Sequence, residues 1–322
     1  MNRHQFQQAA KHFRAGRLTL ENFTSQVFAT DRDTKESGRA KTAVDGLPSR
    51  DPKAHKGDFG RILVVGGSAG MAGAPALSGL AALKSGSGLV AVAVPENIQA
   101  IVASFSPCYM THGLSESKGK TAKEAIDDLA DKCEWADVVV MGPGLGRSKS
   151  LQKIVSLLYT QLPQPMVLDA DAINNLADAG TDLKNHEGLR ILTPHPGEFQ
   201  RLDGLADTTD REVMEKRAKE ISAESNLTIV LKGHRTLVTN GNDSYHNETG
   251  NAGMATAGAG DVLTGVVSSL LGQGLKPFDA CCEAVRIHGL AGDFGAKELG
   301  EVSLTASDIL DYLPPAFRAK KK

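Results

Sequence analysis

The sequence has few cysteines, few aromatic residues, no long apolar run and almost no net charge. Its cysteines show no Cys-x-x-Cys spacing, and we expect them to be small buried apolar residues in a reducing compartment. No apolar run reaches the roughly 20 residues of a transmembrane helix, and no signal peptide is visible. The formal net charge is -2, so the sequence shows no excess of basic residues of the kind that binds nucleic acid. We therefore expect a soluble cytoplasmic protein. The cysteines are Cys108, Cys133, Cys281 and Cys282.

The first 29 residues differ from the rest of the chain. Two short segments with apolar residues at helical spacing flank Gly16, which predicts a helical hairpin over residues 1–29. Residues 30–53 are polar and rich in turn-forming residues, and we interpret them as a linker. The remaining residues, 54–322, are enough to bury a large core and are predicted to form the main domain.

Short aliphatic runs alternate with amphipathic segments from Gly60 onward. Near-continuous apolar runs are typical of parallel strands that are covered on both faces. The alternation predicts an α/β fold, with a doubly wound, mostly parallel sheet and helices on both faces. A later segment with Asn240-Gly241 at its centre predicts an antiparallel hairpin. The strand-like runs are RILVVGG, LVAVAV, DVVVMG, PMVLDA, GLRILT and LTIVLK.

The glycine-rich segment from Asn251 to Gly265 carries the strongest functional signal. Gly258 and Gly260 allow backbone N–H groups to converge in front of an apolar helix, where the helix dipole favours an anion such as phosphate. Asp261 places a carboxylate at the edge of such a site, where it could act as the base that accepts the proton of a nucleophilic hydroxyl. The alternative is a glycine-rich turn in which Asp261 is an ordinary N-cap.

Two other glycine-rich loops follow predicted strands. The loop Gly66–Gly73 is not a dinucleotide fingerprint, because Val65 stands where the first glycine is required. Leu83-Lys84 is not the end of a P-loop, whose lysine follows a glycine. Gly66–Gly73 and Gly142–Gly146 remain as loops at strand ends that let a ligand approach the backbone, or alternatively as plain turns.

Polar residues also follow three of the predicted strands. Asp169 could face nucleotide phosphates or a metal through water, whereas we expect Asp171 to cap the next helix. Two prolines stiffen the loop around His195 and so position its side chain. Glu198 lies three residues further on and could be simply a favourable charge in the first turn of a helix. Lys232 follows another strand and supplies a point charge suited to phosphate, or marks an ordinary surface turn.

Six segments in this order resemble the ADP- or ATP-dependent NAD(P)H-hydrate dehydratases, relatives of the ribokinase-like sugar and vitamin kinases. The resemblance covers about residues 53–313 and implies a ribokinase-like fold. One motif departs from the family, which usually has TGGTGD where this chain has TAGAGD. Alanine at 257 and 259 preserves the site if φ is negative there, because backbone amides bind the anion. The segments are HKGDFGRILVVGGSAGMAGAP, VVVMGPGLG, VLDADAINNL, LTPHPGEF, LKGHRTLV and NAGMATAGAGDVLTG.

The resemblance implies an enzyme that repairs hydrated NADH and NADPH. Such an enzyme phosphorylates the added hydroxyl, and elimination of phosphate then restores the dihydronicotinamide. Bacterial and archaeal members generally use ADP, giving AMP and phosphate, whereas eukaryotic members use ATP. The resemblance therefore implies ADP, or ATP, as co-substrate together with Mg²⁺. It also implies a homo-oligomer, with a tetramer favoured, and no nucleic-acid or membrane partner.

The resemblance also assigns roles to individual residues. Asp261 is implied as the catalytic base and as a substrate contact. Glu198 is implied to help hold magnesium near the phosphates. The implied substrate contacts are Ala74, Gly146 and His195. The implied contacts with the adenine nucleotide are Lys232, Gly233, His234, Arg235, Thr236, Gly258 and Gly260.

Two alternatives to this function remain open from the sequence. The first is a ribokinase-like vitamin kinase for hydroxymethylpyrimidine or hydroxyethylthiazole, against which the HPGE and GPGLG loops argue. The second is a non-catalytic adenine-nucleotide sensor whose N-terminal hairpin contacts a partner. The presence of Asp261 and Glu198 argues against a sensor.

Overall fold

The computed structural model describes residues 47, 50–204 and 210–319. The predicted hairpin at residues 1–29 and most of the predicted linker at 30–53 lie outside the described residues. Those two assignments, and the domain boundary at residue 54, stay predictions.

A mostly parallel sheet of nine strands forms the centre of the described part of the chain. Numbered along the chain, the strands of the described residues are β1 (Arg61–Val65), β2 (Leu89–Pro95), β3 (Met110–Leu114), β4 (Glu116–Ser117), β5 (Lys120–Thr121), β6 (Val138–Met141), β7 (Met166–Leu168), β8 (Arg190–Leu192), β9 (Thr228–Leu231), β10 (Leu237–Thr239) and β11 (Ser244–His246). Across the nine-stranded sheet, their order is β11-β10-β9-β8-β7-β6-β1-β2-β3. All neighbours from β9 to β3 are parallel, β10 is antiparallel to β9 and β11, and β4 pairs with β5 in a separate small hairpin.

Helices cover both faces of the sheet. They are α1 (Gly73–Lys84), α2 (Glu96–Ser104), α3 (Ile126–Trp135), α4 (Lys149–Gln161), α5 (Asp171–Ala179), α6 (Pro196–Asp203), α7 (Arg211–Ser225), α8 (Ala259–Gly272), α9 (Pro277–Leu299) and α10 (Ala306–Arg318). Because strand side chains alternate between faces, Leu63 and Val65 pack with α3 to α7, whereas Ile62 and Val64 pack with α1, α2 and α8 to α10. The predicted doubly wound α/β fold is confirmed.

All six predicted strands and the hairpin around Asn240-Gly241 are present. The sequence reasoning missed β3, an edge strand that is half exposed and lacks the continuous apolar run of the central strands. The expectation of buried cysteines is correct for Cys133 and Cys281 only, since Cys108 is exposed on the surface. Within the described ranges, no helix has the length and apolar character needed to cross a bilayer.

The strand order places the ends of distant segments side by side. The chain runs from β1 to β2 and β3 in one direction, and later from β6 to β9 in the other. The gap between the carboxyl ends of β1 and β6 is therefore the point where the winding reverses, which is where open α/β sheets bind ligands. Loops that follow five neighbouring strands meet along this edge.

Candidate active site

The first turn of α8 presents free backbone amides. Gly258 is the N-cap residue with φ of 90°, and a Cβ there would come within 2.7 Å of a Leu77 methyl group. The first N–H bonded back into the helix is that of Val262, which donates to the Gly258 carbonyl at 3.1 Å. The N–H groups of Gly260 and Asp261 precede it and have no partner among the described residues, as expected at a helix start. This turn can bind an anion.

The alanines that depart from the family motif leave this turn intact. Ala257 and Ala259 both have negative φ, so neither needs the conformational freedom of glycine.

Asp261 is the third residue of α8 and not its N-cap, so the interpretation as a simple cap is wrong. Its carboxylate has no hydrogen-bond partner in the described part of the chain, while its carbonyl accepts a bond from Ser78 Oγ at 2.9 Å. Burial, reinforced by the negative charge of Asp169, raises the pKa of Asp261 to about 7, although Lys232 acts in the opposite direction. A partly buried carboxyl with no hydrogen-bond partner and a pKa raised to about 7 is suited to general-base chemistry.

Lys232 brings one positive charge to this group of carboxylates. Its side chain is 18% exposed, and Nζ lies 2.8 Å from Asp169 Oδ1 and 3.8 Å from Glu198 Oε2. Burial alone would lower the pKa of Lys232, but the charges of Asp169 and Glu198 outweigh it and the net shift is upward. The lysine is therefore charged at physiological pH.

His195 and Glu198 form a reciprocal cap at the start of α6. His195 Nδ1 accepts bonds from the N–H groups of Gly197 (3.0 Å) and Glu198 (3.3 Å), and Glu198 Oε2 accepts the N–H of His195 at 2.8 Å. Burial and the nearby charge of Lys232 lower the pKa of His195, so its ring is neutral. Burial raises the pKa of Glu198, which is 4% exposed. Glu198 is thus both a helix cap and a buried carboxylate beside Lys232, which is more than a favourable first-turn charge.

The charges of the site fit a magnesium ion carried by phosphates. Three carboxylates, Asp169, Glu198 and Asp261, face the single ammonium of Lys232, which leaves an excess of negative charge. Within the described ranges, no group of three or more His, Cys, Asp or Glu side chains is close enough to hold a metal on its own. Magnesium is commonly held by one or two carboxylates together with substrate phosphates. Glu198 is the carboxylate to which the resemblance assigns that role.

The substrate positions implied by the resemblance lie where the winding of the sheet reverses. The loops after β1 and β6 are bonded to each other, from Gly67 N–H to Pro143 O (2.8 Å) and from Ser68 Oγ to Gly144 O (2.8 Å). A Cβ on Gly144 would lie 3.1 Å from the methyl group of Ala74, so the start of α1 borders the second loop. Leu77, one turn along α1, lies against Gly258. The start of α1 is therefore next to the anion-binding turn.

Gly146 is held by α5 on both sides of its backbone. Its N–H donates to Asp171 Oδ2 at 2.8 Å, and its carbonyl accepts a bond from Asn175 Nδ2 at 2.9 Å. The expectation that Asp171 caps its helix is wrong, since Ala170 occupies the N-cap position and Asp171 lies within α5. Gly146 can therefore offer a ligand only the face of its backbone, with both polar groups already bonded.

The residues assigned to the adenine nucleotide lie in two places. Gly233, His234 and Arg235 are exposed on the tight turn between β9 and β10, where Thr236 Oγ1 donates to the Gly233 carbonyl at 3.0 Å. Lys232, at the start of this turn, points inward to the carboxylates. Gly258 and Gly260 lie on the first turn of α8. A Cβ on Gly260 would lie 3.2 Å from Lys232 Nζ. The side chain of Lys232 therefore reaches from the β9–β10 turn to the first turn of α8.

Arg211, which bonds the backbone at Leu231 and Lys232, was not identified from the sequence. Arg211, the first residue of α7, donates to the carbonyls of Leu231 (3.0 Å) and Lys232 (2.9 Å) and bonds Glu215 at 2.9 Å. Nothing in the sequence around Arg211 indicates contacts that span 20 residues. Thr264, whose hydroxyl donates to Asp169 Oδ2 at 2.8 Å, was also missed, although its spacing of three from Asp261 places the two residues on the same face of α8.

Comparison with known proteins assigns the family. The sequence model of the carbohydrate-kinase-type NAD(P)H-hydrate dehydratases matches residues 62–315. The chain is 37% identical over 279 residues to the ADP-dependent (S)-NAD(P)H-hydrate dehydratase of Neisseria meningitidis, covering 84% of this chain and 88% of that protein. It is 43% identical over 310 residues to a bifunctional NAD(P)H-hydrate repair enzyme of Moorella thermoacetica, covering 94% of this chain and 58% of that enzyme. The chain thus spans little more than half the length of the bifunctional relatives.

A solved structure agrees with the sequence comparison. The ADP/ATP-dependent NAD(P)H-hydrate dehydratase of Bacillus subtilis, co-crystallised with ATP and Mg²⁺, superposes with a TM-score of 0.73 at 31% identity, covering 85% of this chain and 94% of that one. The ribokinase-like fold implied by the resemblance is confirmed. The chain belongs to the NAD(P)H-hydrate dehydratase family.

Proposed function

We propose that this protein is an ADP-dependent (S)-NAD(P)H-hydrate dehydratase that repairs hydrated NADH and NADPH. One observation carries the proposal: the unpaired carboxyl of Asp261, with its pKa near 7, lies in an amide-lined helix start beside the ammonium of Lys232. This arrangement supports the proposal, because a base, an anion site and a phosphate-directed charge would then act side by side. The family membership supports the choice of substrate.

The proposed reaction uses these groups in two stages. Asp261 accepts the proton of the hydroxyl on the hydrated ring while that oxygen attacks the terminal phosphorus of the donor and the bond to the donor's bridging oxygen breaks. The amides of Gly260 and Asp261 stabilise the charge of the phosphoryl group in transfer, and Lys232 aligns the donor. The ring nitrogen then expels phosphate, and loss of a proton from the neighbouring carbon restores the dihydronicotinamide. With ADP as donor, the products are AMP and phosphate.

Magnesium is part of this proposal, with Glu198 as its protein ligand or as the partner of its bound water. When bound, it would neutralise phosphate charge near the transferring group. His195, Ala74 and Gly146 are proposed as contacts of the hydrated nicotinamide nucleotide. Gly233 to Thr236 and Gly258 are proposed as contacts of the donor, and the assembly and location are proposed to be a cytoplasmic homo-oligomer.

The proposal is tested by repair of hydrated NADH. Purified protein with hydrated NADH, Mg²⁺ and ADP should restore dihydronicotinamide absorbance and release AMP and phosphate in equal amounts. ATP in place of ADP measures the donor preference. A stable phosphorylated vitamin precursor with no return of absorbance would favour a vitamin kinase instead, and nucleotide binding without any turnover would favour a sensor.

We expect Lys232→Met to weaken ADP binding by at least about tenfold, because a charge-assisted contact with phosphate is typically worth more than 1.4 kcal/mol. Affinity for hydrated NADH should change less than threefold, since the charge is directed at the donor. Separate titrations of the two ligands measure this. Lys216→Met, which removes a lysine of α7 outside the site, is the matched control. Equal weakening of both ligands would mean that Lys232 supports the structure of the whole site.

A further inference from the structure

Asp169 is a fully buried carboxylate with three hydrogen-bond partners from the protein. Only 1% of the residue is exposed, and it follows β7 in the middle of the sheet edge. Oδ1 accepts bonds from Thr193 Oγ1 and from Lys232 Nζ, both at 2.8 Å. Oδ2 accepts a bond from Thr264 Oγ1, also at 2.8 Å. A buried charge of this kind is tolerated because it is paired and hydrogen-bonded.

These partners come from three different elements. Thr193 follows β8, Lys232 follows β9, and Thr264 lies one turn beyond Asp261 in α8. The backbone of Asp169 is itself fixed, since its N–H donates to the Met141 carbonyl at 3.0 Å and its carbonyl accepts the N–H of Ala172 at 3.0 Å. Asp169 therefore ties the ammonium of Lys232 to the same rigid point as the helix that carries Asp261.

Glu198 is the other carboxylate with which Lys232 could pair. Glu198 Oε2 lies 3.8 Å from Nζ, beyond hydrogen-bond distance, whereas Asp169 Oδ1 lies at 2.8 Å. Without the charge of Asp169, the flexible lysine side chain would be drawn towards Glu198, whose Oε2 lies 3.8 Å from Nζ. The ammonium would then pair with Glu198 and would no longer be fixed beside the Cβ position of Gly260 in the first turn of α8.

We propose that Asp169 is a positioning residue that acts through Lys232, holding the ammonium against the first turn of α8, and that it does not bind phosphate or metal itself. The inference rests on the proposed function, because it takes the donor phosphates to be the ligand of that turn. It replaces the sequence-based idea that Asp169 faces phosphates or a metal.

A double-mutant cycle tests this proposal with the full-length protein. Asp169→Asn keeps the shape of the side chain, and its amide can still donate to the Thr264 hydroxyl, so the fold should be retained. ADP binding is measured by calorimetry in EDTA for the wild type, Asp169→Asn, Lys232→Met and the double variant. Because no metal is present, a direct metal role for Asp169 cannot contribute. Lys232→Gln, which can still donate to Asp169, replaces Lys232→Met if the latter does not fold.

We expect Asp169→Asn to weaken ADP binding about five- to tenfold in the wild-type background and less than twofold when Lys232 is already substituted. Affinity for hydrated NADH should stay within twofold. Asp203→Asn, which removes a buried carboxylate bonded to Arg217 at 2.8 Å, is the matched control for stability and should leave ADP binding unchanged.

Equal effects of Asp169→Asn in the two backgrounds would overturn the inference, since Asp169 would then act independently of Lys232. Weakening that occurs only when Mg²⁺ is present would also overturn it and would identify a metal ligand. Failure of the proposed function is distinguishable, because the wild type would then fail to repair hydrated NADH with ADP. A wild type that also fails to bind ADP would remove both proposals.

Discussion

Asp261→Asn is expected to lower the turnover of hydrated NADH by roughly two to four orders of magnitude, the usual contribution of a general base. The substitution keeps the size of the side chain and the free amides of α8, and it removes the group that accepts the proton. ADP affinity should therefore stay within about threefold. Purified variant and wild type are compared for absorbance recovery and for ADP binding. Near-normal repair by the variant would exclude Asp261 as the base.

The pH dependence of activity and of stability follows from the pKa of Asp261. Burial and the charge of Asp169 raise the pKa of Asp261 to about 7, and only the deprotonated form can act as a base. Activity of the wild type should therefore rise with pH through neutrality. The folded-state pKa lies above the unfolded value, so the contribution of Asp261 to stability is present at low pH and is lost as pH rises through about 7.

The pH dependence of stability distinguishes a base with a raised pKa from a carboxylate that stabilises the helix by its charge. Asp261→Asn should raise the unfolding temperature at pH 8 relative to the wild type, and the difference should shrink at pH 5. A favourable first-turn carboxylate would do the opposite, since its loss would destabilise the helix at pH 8. Thermal unfolding at the two pH values measures this.

The sequence was sufficient for features that depend on local patterns. Buried parallel strands appear as continuous apolar runs, and five of their carboxyl ends carry the predicted loops, because parallel strands must present these ends at one edge. The turn at Gly258 was predictable for a similar reason, since only glycine adopts its φ of 90° without strain. The exposed edge strand β3 lacked such a pattern.

Features that depend on distant partners could not be predicted. The sequence shows that Asp169 follows a strand, but not that three donors from β8, β9 and α8 occupy its oxygens. The same holds for Asp171, whose nearest sequence signal is a helix start but whose carboxylate bonds the loop at Gly146. In both cases the helix or strand is local information, whereas the side-chain partner depends on how the elements pack.

A ligand that binds the free amides of α8 must approach the start of that helix closely. Gly260 has negative φ, so a side chain there causes no backbone strain, but a Cβ would lie 3.2 Å from Lys232 Nζ. Gly260→Val would place two further methyl groups beside the free amides and push the ammonium aside. Since a misplacement of about 1 Å can cost on the order of 100-fold in rate, we expect turnover to fall at least that far and ADP binding to weaken strongly.

Stability should not fall in parallel with activity. Replacing a helical glycine by alanine is favourable by roughly 0.5–1 kcal/mol, so Gly260→Ala should unfold at the same temperature as the wild type or higher. We expect its ADP affinity to fall about threefold to tenfold, because one methyl group requires Lys232 to move by only a few tenths of an ångström. Ala257→Val, at an exposed position just before the turn, is the control and should change ADP affinity little. Calorimetry, turnover and thermal unfolding of the three variants measure these effects. If Gly260→Val binds ADP as the wild type does, the donor phosphates do not lie against the amides of α8, and the proposed anion site is wrong.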